Sequence, residues 1–142
     1  MTHRHKALFV VAVCVLAWIG WMRNRSHPVP LAFATKVTLD RAIADQRSDA
    51  KPVIAFYTAD WCGPCEALKR GALSDPNVTA LLKGMHPAFV DCTRGHPADD
   101  PFGVSGYPTL IEIRGGREIS RLVGAVGTDE MLAWLDAAAK RE

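Results

Sequence analysis

Two cysteines separated by two residues are the part of the sequence best suited to chemistry. Cys62 and Cys65 stand in the segment Trp-Cys-Gly-Pro-Cys at residues 61–65, shortly after the apolar run Val53–Thr58. Thiols at this spacing can form a structural disulfide, ligate a metal ion, or exchange electrons with another disulfide. The spacing alone therefore leaves three kinds of site open.

The position of the pair favours electron exchange. Val53–Thr58 is typical of a buried central strand, so Cys62 falls at the first turn of the helix that follows. Backbone N–H groups and the helix dipole stabilise a thiolate there, so we expect Cys62 to attack a disulfide. Cys65 lies almost one turn later and is expected to resolve the mixed disulfide. Gly63 permits a close approach, and Pro64 suits a first helical turn.

The two other readings of the pair remain alternatives. A structural disulfide is disfavoured because the loop is so short and lies beside a large apolar strand. Cys62, Cys65, Cys92 and His96 mimic the spacing of a Cys3His zinc set. However, Cys92 ends a predicted strand, where a small buried residue is the simpler interpretation, and Trp61 is unusual in a zinc knuckle. We therefore expect neither a metal nor a cofactor, and we assign His96 no role.

The remaining chain supplies the elements that must position the cysteines. We predict strands at 35–37, 53–58, 88–91, 109–114 and 117–123, and helices at 38–47, 62–73 and 76–83, a short helical turn after Asp100, and a last helix capped by Thr128. Parallel strands joined by crossover helices, followed by an antiparallel hairpin, predict an α/β fold with a mixed central sheet and helices on both faces.

Composition fits one domain with a packed core. The chain has 142 residues, of which 49% are hydrophobic and 23% charged, and its four cysteines are too few for a disulfide-stapled miniprotein. All 15 acidic residues lie from Thr35 onward, whereas Arg4, Lys6, Arg23 and Arg25 precede it. The domain is therefore mildly acidic, and we expect no nucleic-acid partner. We expect a monomer.

An uncharged run at the N-terminus predicts a membrane segment. Ala7–Met22 has no charged residue and would span roughly 24 Å as a helix, somewhat short of the hydrocarbon core. Trp18, Trp21 and the flanking arginines could complete the span at the interfaces. A signal anchor is therefore the first reading, and a helix buried in protein is another.

These features predict three regions and a location. Residues 1–23 form the membrane anchor or signal segment, 24–34 a linker stiffened by two prolines, and 35–142 the domain. The positive-inside rule favours a cytoplasmic N-terminus and an exported domain after a single pass through the membrane. For a bacterial protein this would mean an inner-membrane anchor and a domain in the periplasm. The alternative is cleavage after the Ala-x-Ala site at 32–34, which would leave a soluble periplasmic protein.

The order of motifs resembles thioredoxin. A strand, the segment at 61–65 opening a helix, and Gly-Tyr-Pro-Thr at 106–109 before a hairpin match that superfamily over about residues 36–140. Four segments also resemble the C-terminal domain of the membrane electron transporter DsbD and small anchored relatives; they are 59–62, 73–78, 91–93 and 106–109. The resemblance implies a thioredoxin fold and a protein thiol–disulfide oxidoreductase that acts on disulfide-containing proteins, with a membrane protein as a possible electron donor.

The same resemblance leaves the direction of electron flow open. The Gly-Pro dipeptide between the cysteines is that of thioredoxin and implies a reductant. A disulfide oxidase or isomerase on the same fold is the first alternative. A non-catalytic binding or metal-carrying domain is the second.

The resemblance also assigns residues around the cysteines. Pro108 is expected to follow a cis peptide bond and to pack against the sulfurs, while Tyr107 offers its backbone to the substrate peptide and shapes substrate choice. Trp61 is expected to flank Cys62 and contact partners. The substrate-binding prediction is completed by Gly63 and Pro64.

One departure from the family concerns the proton of the resolving thiol. Thioredoxins commonly place a buried aspartate six residues before the first cysteine and a lysine on the next strand. Here these positions hold Phe56 and Phe89. Replacing the charged pair with two phenylalanines avoids a buried charge, but it removes the family's proton acceptor. Glu66, Asp60 or a water could take the proton instead, and the sequence favours none of them. We therefore expect Cys65 to ionise less readily and to resolve mixed disulfides slowly.

Overall fold

A computed structural model describes residues 3–23 and 28–141, with side chains described from residue 8 to 20 and from 28 to 141. Its helices are α1 His3–Arg23, α2 Leu39–Asp49, α3 Gly63–Arg70, α4 Pro76–Lys83 and α5 Thr128–Lys140. Its strands are β1 Val53–Thr58, β2 His86–Asp91, β3 Thr109–Arg114 and β4 Arg117–Val123. Single turns of 3-10 helix lie at Leu31–Phe33 and Ala72–Ser74.

The strands form one mixed sheet in the order β2-β1-β3-β4. β1 pairs in parallel with β2 and antiparallel with β3, and β3 pairs antiparallel with β4. Every residue of β1 is buried, as expected for a central strand reached from both faces. The predicted mixed sheet is confirmed.

The predicted strand at 35–37 is absent from the described residues. Lys36 takes a positive φ of 46°, which breaks an extended strand there. Only one sheet-like contact remains, in which the Phe89 N–H donates to the Val37 carbonyl at 2.9 Å. The segment therefore covers part of the free edge of β2 without joining the sheet.

Apolar side chains fill both faces of the sheet. One cluster joins Ile54 and Phe56 of β1 to residues of α3, α4 and α5, and a second joins Tyr57 of β1 to Ala42 of α2 and to Cys92. Residues alternate between faces along a strand, so Phe56 and Thr58 point toward α3 while Tyr57 points away from it. The two faces bring different groups to the active site.

The hairpin between β3 and β4 depends on two glycines. Gly115 and Gly116 have φ values of 56° and 75°, and Arg114 faces Arg117 across the turn. Positive φ at both central residues defines the turn class that matches the twist of antiparallel strands. The Gly-Gly dipeptide thus explains why the predicted hairpin boundaries are confirmed.

The side-chain caps predicted for α2 and α4 are confirmed, whereas the cap predicted for α5 is wrong. Thr38 caps α2, and the Asp75 carboxylate caps α4 by accepting from the Asn77 N–H at 2.8 Å. The last helix differs from the prediction because its N-cap is Gly127, which is extended at ψ 167° and has no side chain to cap with. Thr128 is instead the first residue inside the helix.

The structure supports a helix at the N-terminus but not the membrane anchor predicted there. α1 is helical, and its side chains described from residue 8 to 20 are exposed. Within the described parts of the chain, no helix is both long and apolar enough to cross a membrane, so the predicted membrane anchor is not supported. Of the predicted linker, residues 24–27 lie outside the described residues. Phe33 departs from the linker prediction, because it packs into the core with its ring 5.4 Å from that of Phe56.

Candidate active site

Cys62 and Cys65 are joined by a disulfide at the start of α3, with their Cα atoms 5.3 Å apart. Cys62 is the N-cap residue of the helix, and its Sγ accepts a hydrogen bond from the Cys65 N–H at 3.2 Å. Cys62 is 5% exposed, whereas Cys65 is fully buried. The outer sulfur is therefore the one that an incoming disulfide can reach.

This geometry favours a thiolate on Cys62 once the disulfide is reduced. The first N–H groups of a helix have no partner within the helix, and one of them already points at the Cys62 sulfur. The positive end of the helix dipole acts in the same direction. A thiolate held in this way is both a good nucleophile and a good leaving group in disulfide exchange.

The Tyr107–Pro108 bend forms one wall of the site. The peptide bond between the two residues is cis, as the sequence predicted. Tyr107 packs against the small cluster of Ala59, Cys62 and Cys65, and Pro108 is buried. A hydrogen bond from the residue after β4 holds the bend in place, since the Gly124 N–H donates to the Pro108 carbonyl at 2.8 Å.

Trp61 borders the site beside Tyr107. Its side chain is 67% exposed, and its Nε1–H donates to the Thr93 carbonyl at 3.1 Å. Thr93 also accepts from the Asp60 N–H through its Oγ1 at 3.0 Å. The rings of Trp61 and Tyr107 meet edge to face at 6.0 Å between centroids. Two aromatic side chains thus border the disulfide.

Gly63 and Pro64 lie on the open side. Both are exposed, and no heavy atom lies within 4 Å of the place where a Cβ on Gly63 would be. The structure therefore brings all seven predicted site residues to one end of the sheet. Their roles in binding and catalysis remain predictions.

Two phenylalanines occupy the sheet positions where thioredoxins commonly carry an aspartate and a lysine. Phe56 and Phe89 are register partners on β1 and β2, with ring centroids 6.1 Å apart. Thr58, two residues closer to the cysteines, is buried, and its Oγ1 has no hydrogen-bond partner among the described residues. The two rings pack against each other where the family's carboxylate would lie. The structure therefore agrees with the prediction that this acceptor is missing.

Sequence reasoning missed two groups of polar residues near the site. One is the buried pair Glu66 and Lys69 on α3, whose carboxylate and ammonium are 2.9 Å apart. The other is a chain of side chains from Tyr57 through Asp100 and His96 to Tyr107. The spacing of three residues on a helix signals the first. Nothing local in the sequence signals the second.

Cys92 behaves as a small buried residue. It is fully buried, and burial is the main cause that raises the pKa of its thiol. Its Sγ lies 3.9 Å from the Nδ1 of His96. Among the described side chains, at residues 8–20 and 28–141, no three or more acidic, histidine or cysteine groups are placed so as to hold a metal. The zinc alternative therefore receives no support.

Comparisons with known proteins agree with this geometry. The family described as thioredoxin-like domain matches residues 39–139. Thiol:disulfide interchange protein DsbD 1 of Pseudomonas aeruginosa is 30% identical over an alignment that covers 95% of this chain but only 27% of that protein. Thioredoxin of Allochromatium vinosum is 30% identical, with 71% of this chain and 92% of that protein covered.

Solved structures give the same fold. The reduced C-terminal domain of DsbD from Neisseria meningitidis has a TM-score of 0.58 at 24% identity, covering 70% of this chain and 93% of that one. A thioredoxin from Thermus thermophilus has a TM-score of 0.59 at 24% identity, covering 73% and 85%. At this level of identity the likeness establishes the fold alone.

The chain belongs to the thioredoxin-like family. Its fold and its Cys62–Cys65 disulfide make it a thiol–disulfide oxidoreductase. The sequence resemblance to thioredoxin and DsbD is thereby confirmed.

Proposed function

We propose that this protein reduces disulfide bonds in exported proteins. The observation that carries the proposal is the position of the Cys62 sulfur, which receives the Cys65 N–H at the start of α3 and lies beside the Tyr107–Pro108 bend. A substrate disulfide that approaches beside Tyr107 and Trp61 would meet this sulfur first, because Cys65 is fully buried.

Reduction would proceed by two exchanges. The Cys62 thiolate attacks one sulfur of the substrate, which forms a mixed disulfide and releases the other substrate sulfur as a thiolate. Cys65 then loses its proton and attacks Cys62, which restores the Cys62–Cys65 disulfide and releases the second substrate thiolate. Two electrons pass from the protein to the substrate. The protein ends oxidised, so a second dithiol must reduce it before the next cycle.

We propose a membrane protein that carries a dithiol as this electron donor. The similarity to a thiol:disulfide interchange protein, of which the chain spans 27%, supports a place in such a relay. The Gly-Pro dipeptide at Gly63 and Pro64, shared with thioredoxin, supports the reducing direction. A redox potential measured against glutathione tests that direction, because a strongly oxidising value would support a disulfide oxidase or isomerase.

We also propose that the domain works on the periplasmic side of a bacterial inner membrane. This proposal rests on the uncharged run Ala7–Met22 and on the positive charges that flank it. Cell fractionation followed by alkaline carbonate extraction would separate an anchored protein from a soluble one. Recovery of the full-length chain in the cytosol would contradict the proposal.

The activity itself is tested by the reduction of insulin disulfides with dithiothreitol as the electron source. The unaltered protein should accelerate precipitation of the insulin B chain, and Cys62→Ser should not. Cys14→Ser serves as a matched control, because Cys14 is an exposed free thiol outside the disulfide. Equal rates for the unaltered protein and for Cys62→Ser would support a non-catalytic binding domain.

A further inference from the structure

The β2–β3 connection, defined here as residues 92–108, carries a continuous line of side chains from the core to the active site. The Tyr57 hydroxyl donates to Asp100 Oδ1 at 2.5 Å, and Asp100 Oδ2 lies 3.0 Å from His96 Nε2. The His96 Nδ1 lies 3.2 Å from the Tyr107 hydroxyl. Tyr107 is the residue that packs against the disulfide.

Asp100 anchors this series of hydrogen bonds. Its side chain is 2% exposed. Besides the Tyr57 hydroxyl and the imidazole, it accepts from the Phe102 N–H at 3.2 Å. A buried carboxylate with three donors holds each of them in a defined direction. The orientation of the His96 ring is therefore set from the core side.

The hydrogen-bond direction follows from what each group can do. An ionised carboxylate only accepts, so the His96 Nε2 must carry the hydrogen that points at Asp100. In the neutral imidazole the Nδ1 is then bare and accepts from the Tyr107 hydroxyl. For a neutral imidazole the order of donation is thus from Tyr107 to His96 and from His96 to Asp100. The Cys92 Sγ lies 3.9 Å from the same Nδ1 and is another polar atom beside it.

Ring packing reinforces the same path. His96 stacks between the two tyrosines, at 6.0 Å from Tyr57 and 6.4 Å from Tyr107, with interplanar angles of 18° and 24°. Tyr107 then meets Trp61 edge to face. Because Thr93, in the same connection, holds Trp61, both aromatic walls of the site are tied to one segment.

We propose that His96, held by Asp100, is a positioning residue that fixes the Tyr107 ring and thereby determines which disulfides the site accepts. This inference rests on the proposed function. The accepted class is a disulfide within a polypeptide, whose neighbouring residues lie against Tyr107 and Trp61. A small disulfide without a peptide touches little beyond the Cys62 sulfur, so its exchange does not depend on His96.

Two substitutions separate the hydrogen bonds of His96. His96→Gln keeps a polar group near Asp100 but removes the acceptor for the Tyr107 hydroxyl, whereas His96→Asn keeps an acceptor near the Nδ1 position. His86→Gln is the matched control, because His86 contacts Asp49 at 2.7 Å at the opposite end of β2. Both histidines are thus changed in the same way at different distances from the site.

The experiment uses pre-reduced full-length protein, freed of reductant, and follows oxidation of the Cys62–Cys65 pair by insulin or by hydroxyethyl disulfide. His96→Gln should lower the rate constant with insulin about fivefold and leave that with hydroxyethyl disulfide within about twofold, as expected for the loss of one hydrogen bond. His96→Asn should restore much of the insulin rate. His86→Gln should match the unaltered protein with both substrates.

A double variant tests the path through Tyr107. If His96 acts through the Tyr107 hydroxyl, His96→Gln combined with Tyr107→Phe should be no slower with insulin than Tyr107→Phe alone. Parallel losses with both disulfides, additive losses in the double variant, or an unchanged His96→Gln rate would each overturn this inference and leave the proposed function standing. An unaltered protein that reduced neither disulfide would overturn both.

Discussion

Glu66 and Lys69 form an ion pair on α3, the helix that begins at the active-site disulfide, and both side chains are nearly inaccessible to solvent. The Oε1–Nζ distance is 2.9 Å. The Lys69 charge also contributes to the lowered pKa of Asp91, although the Thr93 hydrogen bond is the larger cause. The pair therefore lies near the carboxyl ends of β1 and β2, at the end of the sheet that carries the cysteines.

Lys69→Met should destabilise the fold. Removing one member of a buried ion pair costs about 3 kcal/mol, because the Glu66 carboxylate stays buried without the Lys69 ammonium. Urea unfolding of the oxidised protein would measure the change. Lys83→Met is the control, since Lys83 is exposed on α4 and its replacement should change the free energy of unfolding by less than about 0.5 kcal/mol. Equal effects of the two substitutions would contradict the importance of burial.

Resolution of the mixed disulfide should be slow near neutral pH. Cys65 is fully buried, and Phe56 and Phe89 occupy the positions where the family places a carboxylate and a lysine. Without the family's acceptor, and unless the buried Glu66 carboxylate takes the proton, the Cys65 thiol depends on hydroxide. The rate should then rise about tenfold per pH unit from about pH 7 to pH 9. Rapid-quench measurement of a mixed disulfide formed at Cys62 would give the profile. A rate that is fast and flat across this range would refute the expectation.

Cys65→Ala should trap substrates on Cys62. The mixed disulfide then has no resolving thiol, so partners remain attached until a reductant is added. Non-reducing electrophoresis followed by mass spectrometry would identify them. The double variant Cys62→Ala with Cys65→Ala should trap nothing, and partners captured equally by it would show that the attachment does not require Cys62.

Both tyrosines of the chain should ionise above the ordinary range. Burial, followed by a hydrogen bond with the Cys92 thiol, raises the pKa of Tyr107 to about 12, and burial with the Asp100 hydrogen bond raises that of Tyr57 further. Because the folded pKa exceeds the ordinary value of 10.0, the stabilising contribution is complete below that pH and is lost as pH rises through both values. An ultraviolet titration of tyrosinate should show no group ionising at the ordinary pH before unfolding.

Asp49 should contribute to acid sensitivity in the opposite sense. A hydrogen bond to His86 is the main cause that lowers the pKa of Asp49 from 3.8 to about 2. A lowered folded pKa contributes stability that is present above the ordinary value and is lost as pH falls between the two values. The difference in melting temperature between the unaltered protein and Asp49→Asn should therefore shrink in this window. A constant difference would count against the role of the pair.

The parts of the structure that sequence reasoning predicted are those with local signals. The apolar run Val53–Thr58, the Asp75-Pro76 cap and the Gly115-Gly116 turn each encode their conformation in a few adjacent residues. The position of Cys62 at a helix start follows from the strand that precedes it. The cis bond before Pro108 needed the resemblance as well, since most bonds before proline are trans.

The parts that sequence reasoning missed depend on long-range contacts. Tyr57 and Asp100 are 43 residues apart in sequence, and no local pattern connects them. Phe33 lies after two prolines in a segment that reads as a linker, yet the core beside Phe56 has room for its ring. Only the folded arrangement reveals either contact, because burial and not spacing selects the partners.

The edge strand β4 affects whether copies of this protein can associate through their sheets. It lies at the sheet edge, carries Arg117 and Arg121 as exposed charges, and pairs with β3 through a register shift between Glu112 and Ile113. Cationic side chains and an irregular ladder hinder a second copy from adding its own strand there. This edge of the sheet therefore disfavours strand-by-strand association between copies of the chain.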